Sequence, residues 1–176
     1  GAGKTTVLQA LESLGGVLID ADAVYHDLTR SSQAMQAELI ARFGPVYDGN
    51  ELDRKKLGAV VFQDEKALAD LNRITHKYIA RETQRRIEAA KAAGAELAVG
   101  ITGIAGPGGA LPGKPVGTVY LAGADTRTNT GYVMRLTLGG YRERSVIRAR
   151  AAMYALDMLR RMALGLPVPD SLTVTP

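Results

Sequence analysis

Gly1-Ala2-Gly3-Lys4-Thr5-Thr6 runs directly into Val7, Leu8, Leu11 and Leu14, apolar positions at helical spacing, and Gly15-Gly16 stops the run. A glycine-rich turn followed by Lys and Thr at the opening of a helix is the carboxyl-terminal part of a Walker A loop. Its glycines let backbone N–H groups wrap phosphate oxygens where the helix dipole favours negative charge. In such a loop Gly1, Gly3, Lys4, Thr5 and Thr6 bind ATP. Lys4 reaches the β/γ-phosphates and the Thr5 hydroxyl ligates Mg²⁺. The full signature has a further glycine four residues before Gly3 and a strand before that. The chain opens inside the motif, which implies that the natural start lies upstream. Read without its surroundings, the lesser alternative is a chance loop that opens a helix.

Outward from this start, Val17-Leu18-Ile19 reads as a short apolar strand closed by Asp20-Ala21-Asp22, at the strand end where an open α/β sheet presents its ligands. A carboxylate there can accept the proton of an attacking hydroxyl or organise Mg²⁺ through water; the structural alternative is that Asp20 or Asp22 caps the next helix. Helical patterns follow at about 23–30, 33–43, 53–62 and 64–92, with Tyr47-Asp48-Gly49-Asn50 as a turn and Asp53 as an N-cap.

From Leu97 the texture changes. Leu97–Thr102 reads as a buried strand, then a glycine- and proline-rich loop runs from Gly103 to Pro115. Residues 117–122 and 132–138 alternate as neighbouring strands joined through a polar turn, and 145–164 carries an apolar helical stripe. The segment 166–176 shows no structural pattern. Glycines in the Thr102–Gly109 loop permit close backbone approach to a ligand, or simply make a mobile loop.

The chain of 176 residues is 46% hydrophobic and 23% charged, enough for one ordinary core or two marginal ones. It has no Cys, which excludes disulfides and thiolate chemistry, and no apolar run suited to a membrane span, so a cytoplasmic protein is expected. Residues 1–94 carry 13 basic and 13 acidic side chains and 95–176 carry 9 and 5, so the net charge of +4 lies entirely in the second part. Arg142, Arg144, Arg148, Arg150, Arg160 and Arg161 supply much of it. No aromatic interleaving or nucleic-acid motif accompanies them, so they read as a solvated helix face with a nucleic-acid site as the lesser alternative, while the phosphate-loop motif makes small-molecule nucleotides the expected partners.

Gly1–Thr6, the Asp-Ala-Asp of 20–22, Phe43-Gly44, Leu52-Asp53-Arg54-Lys55-Lys56-Leu57, Val61-Phe62 and Ile74-Thr75-His76 stand in the order of the dephospho-coenzyme A kinase family, which residues 1 to about 95 resemble. That family transfers the ATP γ-phosphate to the ribose 3′-hydroxyl of dephospho-CoA, the last step of coenzyme A synthesis. The resemblance implies Asp22 as catalytic base, with Lys4 and Thr5 handling phosphates and Mg²⁺. It implies Asp20, Arg54, His76 and Arg81 on the substrate side. His76 reads equally as a helix-face residue, and Lys77 stands where the family usually has proline.

Thr102-Gly103-Ile104-Ala105-Gly106-Pro107-Gly108-Gly109, with Gly140-Tyr141-Arg142-Glu143 and the closing helix, resembles the second half of the CinA carboxyl-terminal domain, over about 96–165. That family hydrolyses the amide of nicotinamide mononucleotide. The resemblance implies nucleotide approach at Thr102, Gly103, Gly106 and Gly108, and a phosphate partner in Arg142, which alternatively is a surface charge. Tyr141 stands where the family tends to have Asp.

The two resemblances imply an α/β chimera: a three-layer P-loop-kinase-like N-terminal half, 1–95, continuing into an α/β CinA-like C-terminal half, 96–176, with a short irregular tail. Ala93–Val99 would serve either parent, so one continuous sheet is possible. The kinase family's Pro-Leu-Leu-Phe-Glu segment and arginine-bearing lid do not appear, nor does the amidohydrolase family's Ser-Cys-Thr-Gly-Gly nucleophile segment. Three readings stand: a kinase whose turnover is weakened or lost, a nicotinamide-nucleotide amidohydrolase, and a non-catalytic chimeric nucleotide-binding chain.

Overall fold

The computed structural model describes residues 11–13, 15–110, 112–140 and 143–173. The fold is mixed α/β, and the described chain divides into two compact units: Val17–Ala93, and a second made of the described residues up to Gly16 together with those from Gly94 onward. The sheets do not run across that division: a two-stranded ribbon lies in one unit and a four-stranded sheet in the other.

The Val17–Ala93 unit is helical. Helix α1 spans Ala21–Ser31, α2 Gln33–Phe43, α3 Arg54–Val61 and α4 Glu65–Ala92; strands β1 (Tyr47–Asp48) and β2 (Glu51–Leu52) pair antiparallel between α2 and α3. Each helix opens on a short polar side chain that satisfies orphan N–H groups of the first turn. Asp20 accepts from Asp22 N at 2.9 Å. Ser32 accepts from Met35 N, Asp53 from Lys55 N and Lys56 N, and Asp64 from Lys66 N. The core is the i, i+4 row Met35, Leu39 and Phe43 packed with Val46, Leu57, Val61, Ala67 and Ile74. Met35 and Leu39 are fully buried, so each stabilises the unit by about 2 kcal/mol through transfer alone. Charged staples tie α4 to its neighbours: Arg86 to Asp27 at 3.0 Å, Lys77 to Glu38 at 2.6 Å and Arg42 to Asp70 at 2.7 Å.

Val17–Ile19 does not form the expected strand. Residues 16–20 carry no ladder, and Val17 is 57% exposed. A strand exists by its hydrogen-bonded neighbour, and no described segment pairs with this one.

In the residues from Gly94 onward, β3 (Leu97–Gly103), β4 (Thr118–Asp125) and β5 (Thr130–Thr137) form an antiparallel meander, and helix α5 (Arg144–Leu164) covers one face. The alternation of strand side chains sends Val119, Leu121, Met134 and Leu136 inward against Ile147, Ala151, Ala155, Met158 and Met162. The tail, expected to be irregular, contributes β6 (Ser171–Thr173), parallel to β5 with Arg135 opposite Ser171. A three-residue edge strand has too short a pattern to announce itself; the unpaired side of β5 dictates it by offering ladder partners.

At the far end of the helix, Asp125, 4% exposed, receives two guanidinium hydrogen bonds from Arg127, which also donates to the Met162 carbonyl at 3.0 Å. The hydrogen bonds from Arg127 hold the Asp125 carboxyl below the usual carboxylate range. This bridge ties the β4–β5 turn to the last turn of α5.

Candidate functional site

The phosphate-loop residues Gly1, Gly3, Lys4, Thr5 and Thr6, and Arg142, lie outside the described residues. The rest of the kinase-like site is built on α1. Asp20 is occupied in capping, which is the structural alternative its position allowed, and Asp22 is left in the first turn with its carboxylate exposed. Among the described residues no cation pairs with Asp22.

One turn along the same helix face stands His26. The Arg54 guanidinium, brought in by the first turn of α3, lies with Nη2 3.0 Å from His26 Nδ1. Guanidinium has only donors, so Nδ1 is the acceptor and the neutral ring carries its proton on Nε2. These two side chains, with Tyr25, Thr29, Arg30, Glu51 and Leu52, line a cleft of about 300 Å³ between α1, β2 and the start of α3. Arg30 faces Glu51 at 3.6 Å across its rim. Burial raises the Tyr25 hydroxyl above the usual phenol range, with Arg54 pulling the other way. Burial, with Tyr25 nearby, pushes Tyr47 up to about 12, and the Tyr47 hydroxyl is buried with no hydrogen-bond partner among the described residues.

Of the substrate-side residues expected from sequence, Arg54 joins this cleft. His76 and Arg81 do not line it; both are exposed on α4. Arg81 lies near Tyr78, whose hydroxyl donates to Glu38 at 2.7 Å. Sequence reading missed His26. Its signal was its spacing from Asp22, four residues on along a helix, which puts both on one face.

The described residues contain no group of three or more His, Cys, Asp or Glu side chains able to hold a metal ion. Mg²⁺ does not require one, since it is ordinarily held by one or two carboxylates together with substrate phosphates.

The glycine-rich loop of the second unit has a different character. A Cβ at Gly103 would lie 2.7 Å from the Thr118 carbonyl oxygen and 2.8 Å from Val119 Cα. At Gly106, whose φ is +76°, it would lie 2.7 Å from Val116 Cγ1. These two glycines are therefore required by the protein's own packing. Gly108 is open, with nothing within 4 Å of its Cβ direction. Arg144 clamps the loop from α5 through a 2.8 Å bond to the Gly106 carbonyl, and Thr102 sits exposed on β3 opposite Tyr120.

The family model for dephospho-CoA kinase matches residues 1–105 and that for the CinA C-terminal domain matches 60–163. A dephospho-CoA kinase of Corynebacterium glutamicum is 42% identical over 101 residues, 56% of this chain and 52% of that protein. A CinA-like protein of Kosmotoga olearia is 53% identical over 77 residues, 44% of this chain and 18% of that protein. The solved structure of competence/damage inducible protein CihA from Agrobacterium tumefaciens is 22% identical, with a TM-score of 0.39 over 81% of this chain and 93% of that one. The chain thus spans about half the length of the curated dephospho-CoA kinases it matches. No helix among the described residues is long and apolar enough to cross a membrane. Two families meet in one polypeptide, overlapping on 60–105, and the chain belongs to the dephospho-CoA kinase family through its first 105 residues and to the CinA C-terminal domain family through residues 60–163.

Proposed function

We propose that the chain acts, or descends from a chain that acted, as an ATP-dependent kinase of the dephospho-CoA 3′-hydroxyl, with Asp22 as the base. The observation that carries this reading is Asp22 itself: an exposed carboxylate in the first turn of α1, without a cationic partner among the described residues, one turn from the Arg54–His26 cleft. In the reaction the 3′-oxygen attacks the γ-phosphorus, the bond to the β–γ bridging oxygen breaks, ADP departs, and the hydroxyl proton passes to Asp22. Lys4 and the glycines of the loop would hold the phosphates, Thr5 would hold the Mg²⁺ whose charge would offset theirs, and Arg54 would pair with the anionic end of the acceptor.

Transfer of label from γ-labelled ATP to dephospho-CoA tests this. The full chain should label the acceptor, Asp22→Asn should lose about 10²-fold or more of the rate, and Lys4→Ala should lose ATP binding. A folded chain that binds both substrates without transfer contradicts the assignment of a working base.

A second reading, nucleotide binding on the CinA-like loop, is favoured by the open approach at Gly108. Hydrolysis of a nicotinamide-nucleotide amide there would need an activated nucleophile, and the Ser-Cys-Thr-Gly-Gly segment whose serine would supply it does not occur in the sequence.

A further inference from the structure

We infer that His26 and Arg54 form a proton-coupled clamp for a diphosphate group, in which His26 takes up a proton when the anion enters the cleft. The inference rests on the kinase reading for its biological ligand and on the cleft for its chemistry. In the empty cleft the 3.0 Å contact requires His26 Nδ1 to accept from Arg54, so the ring is neutral and spends its lone pair holding a guanidinium in place. A protonated ring would set two cations against each other. An anion between them reverses the balance: Arg54 presents its planar fork to phosphoryl oxygens, and imidazolium becomes the better neighbour.

The surroundings favour an anion of that size. The cleft of about 300 Å³ offers two guanidinium groups, Arg54 and Arg30, with Glu51 3.6 Å from Arg30 as the carboxylate on its lining. The charged and titratable groups around His26 are Asp22, Tyr25, Asp27 and Arg30 on α1, Glu51 on β2 and Arg54 on α3. Tyr47 of β1 reaches Tyr25, and Arg86 of α4 engages Asp27. Asp27 is bonded to Arg86 at 3.0 Å, which leaves Arg54 as the group His26 addresses. Tyr25, its ring centroid 5.4 Å from that of His26, adds a half-buried hydroxyl, and the Tyr47 hydroxyl is buried without a hydrogen-bond partner among the described residues.

The chain has two histidines, so imidazole NMR reads the clamp and carries its own control in His76, which does not line the cleft. Titration with inorganic pyrophosphate should move the His26 midpoint upward by about one pH unit or more and leave His76 in place. Arg54→Ala should abolish the movement, with the unshifted His76 resonance reporting the fold, and Arg54→Lys should weaken it. Binding of pyrophosphate should strengthen from pH 8 to pH 6 by up to about tenfold more in the wild type than in His26→Asn, which keeps an acceptor for Arg54 but cannot take the proton. The pyrophosphate's own titration is common to both proteins.

Dephospho-CoA and ATP·Mg²⁺ are then added separately: a shift with the first alone assigns the diphosphate to the acceptor, and with the second alone to the donor. No movement of His26 with any of the three, or equal movement of His76, overturns the clamp. The kinase reading fails separately: phosphoryl transfer without a His26 shift removes the clamp and keeps the kinase, and a shift without transfer does the reverse.

Discussion

In the helical unit, Val17–Ala93, the chemistry-bearing side chains stand outside the core, while in the sheet unit the motif that most resembles a ligand loop is largely consumed by the fold. Asp22, His26 and Arg54 could be changed with little effect on packing, because the unit is held by the Met35–Leu39–Phe43 row and its partners. Gly103 and Gly106 could not, because backbone and Val116 already fill the space a side chain would need. A glycine motif thus has two physical meanings, room for a ligand and room for the chain itself, and the second governs two of the three glycines between Gly103 and Gly108.

The sharpest way to break this contrast is Gly103→Ala. With backbone atoms at 2.7 and 2.8 Å, the neighbours cannot yield cheaply, and a loss of about 3 kcal/mol is expected in urea unfolding. Hydrogen exchange should show that loss in β3 and β4. A near-neutral result would mean that the loop has slack and that its glycines are free to serve a ligand.

Next in size is Asp125→Ala. It leaves Arg127 without its buried partner, and with that guanidinium about a third exposed the cost should be about 2 kcal/mol, read from the same unfolding curve. Arg127→Ala should cost a similar amount if the bridge ties the β4–β5 turn to α5.

Acid is expected to act on the helical unit more gently. Hydrogen bonds from Arg85 and Arg86 hold Glu82 down to about 2, and Asp70 and Glu38 are lowered by Arg42 and by Lys77 respectively. Depressed carboxyls stabilise the fold above the unfolded value of about 4.3, and that contribution is lost as pH falls towards 2. Urea unfolding should therefore show the helical unit losing a small part of its stability across that window. High salt at pH 7 should change little, because exposed pairs contribute little. An acid transition that begins above pH 5 would point to a different set of groups.

The smallest effect is expected at Gly108→Ala. Nothing lies within 4 Å of the added methyl, so stability should stay within about 0.5 kcal/mol. A drop in nucleotide affinity at unchanged stability would identify Gly108 as the place where a ligand approaches the second unit.

Much of this was legible in the sequence where a local rule decides. The helix at 33–43 is bounded by Ser32 and Gly44, Asp53 caps α3 as its position implied, and the alternation of 117–122 and 132–138 foretold paired strands. What failed to read was decided by partners distant in the chain. Val17–Ile19 has strand composition but no ladder, and Ser171–Thr173 has little composition but finds one on β5. His26 carries only its spacing from Asp22 as a signal, and its place in a cleft became visible when α3 brought Arg54 to its ring, 28 residues along the chain.

The most direct test of the account is calorimetric titration of ATP·Mg²⁺ into the full chain and into Lys4→Ala, followed by dephospho-CoA. The account predicts saturable ATP binding that the substitution removes, and dephospho-CoA binding that survives it but is weakened by Arg54→Ala. Absence of binding for both ligands in a chain that unfolds cooperatively would contradict it, leaving kinship with the kinases as a matter of descent alone.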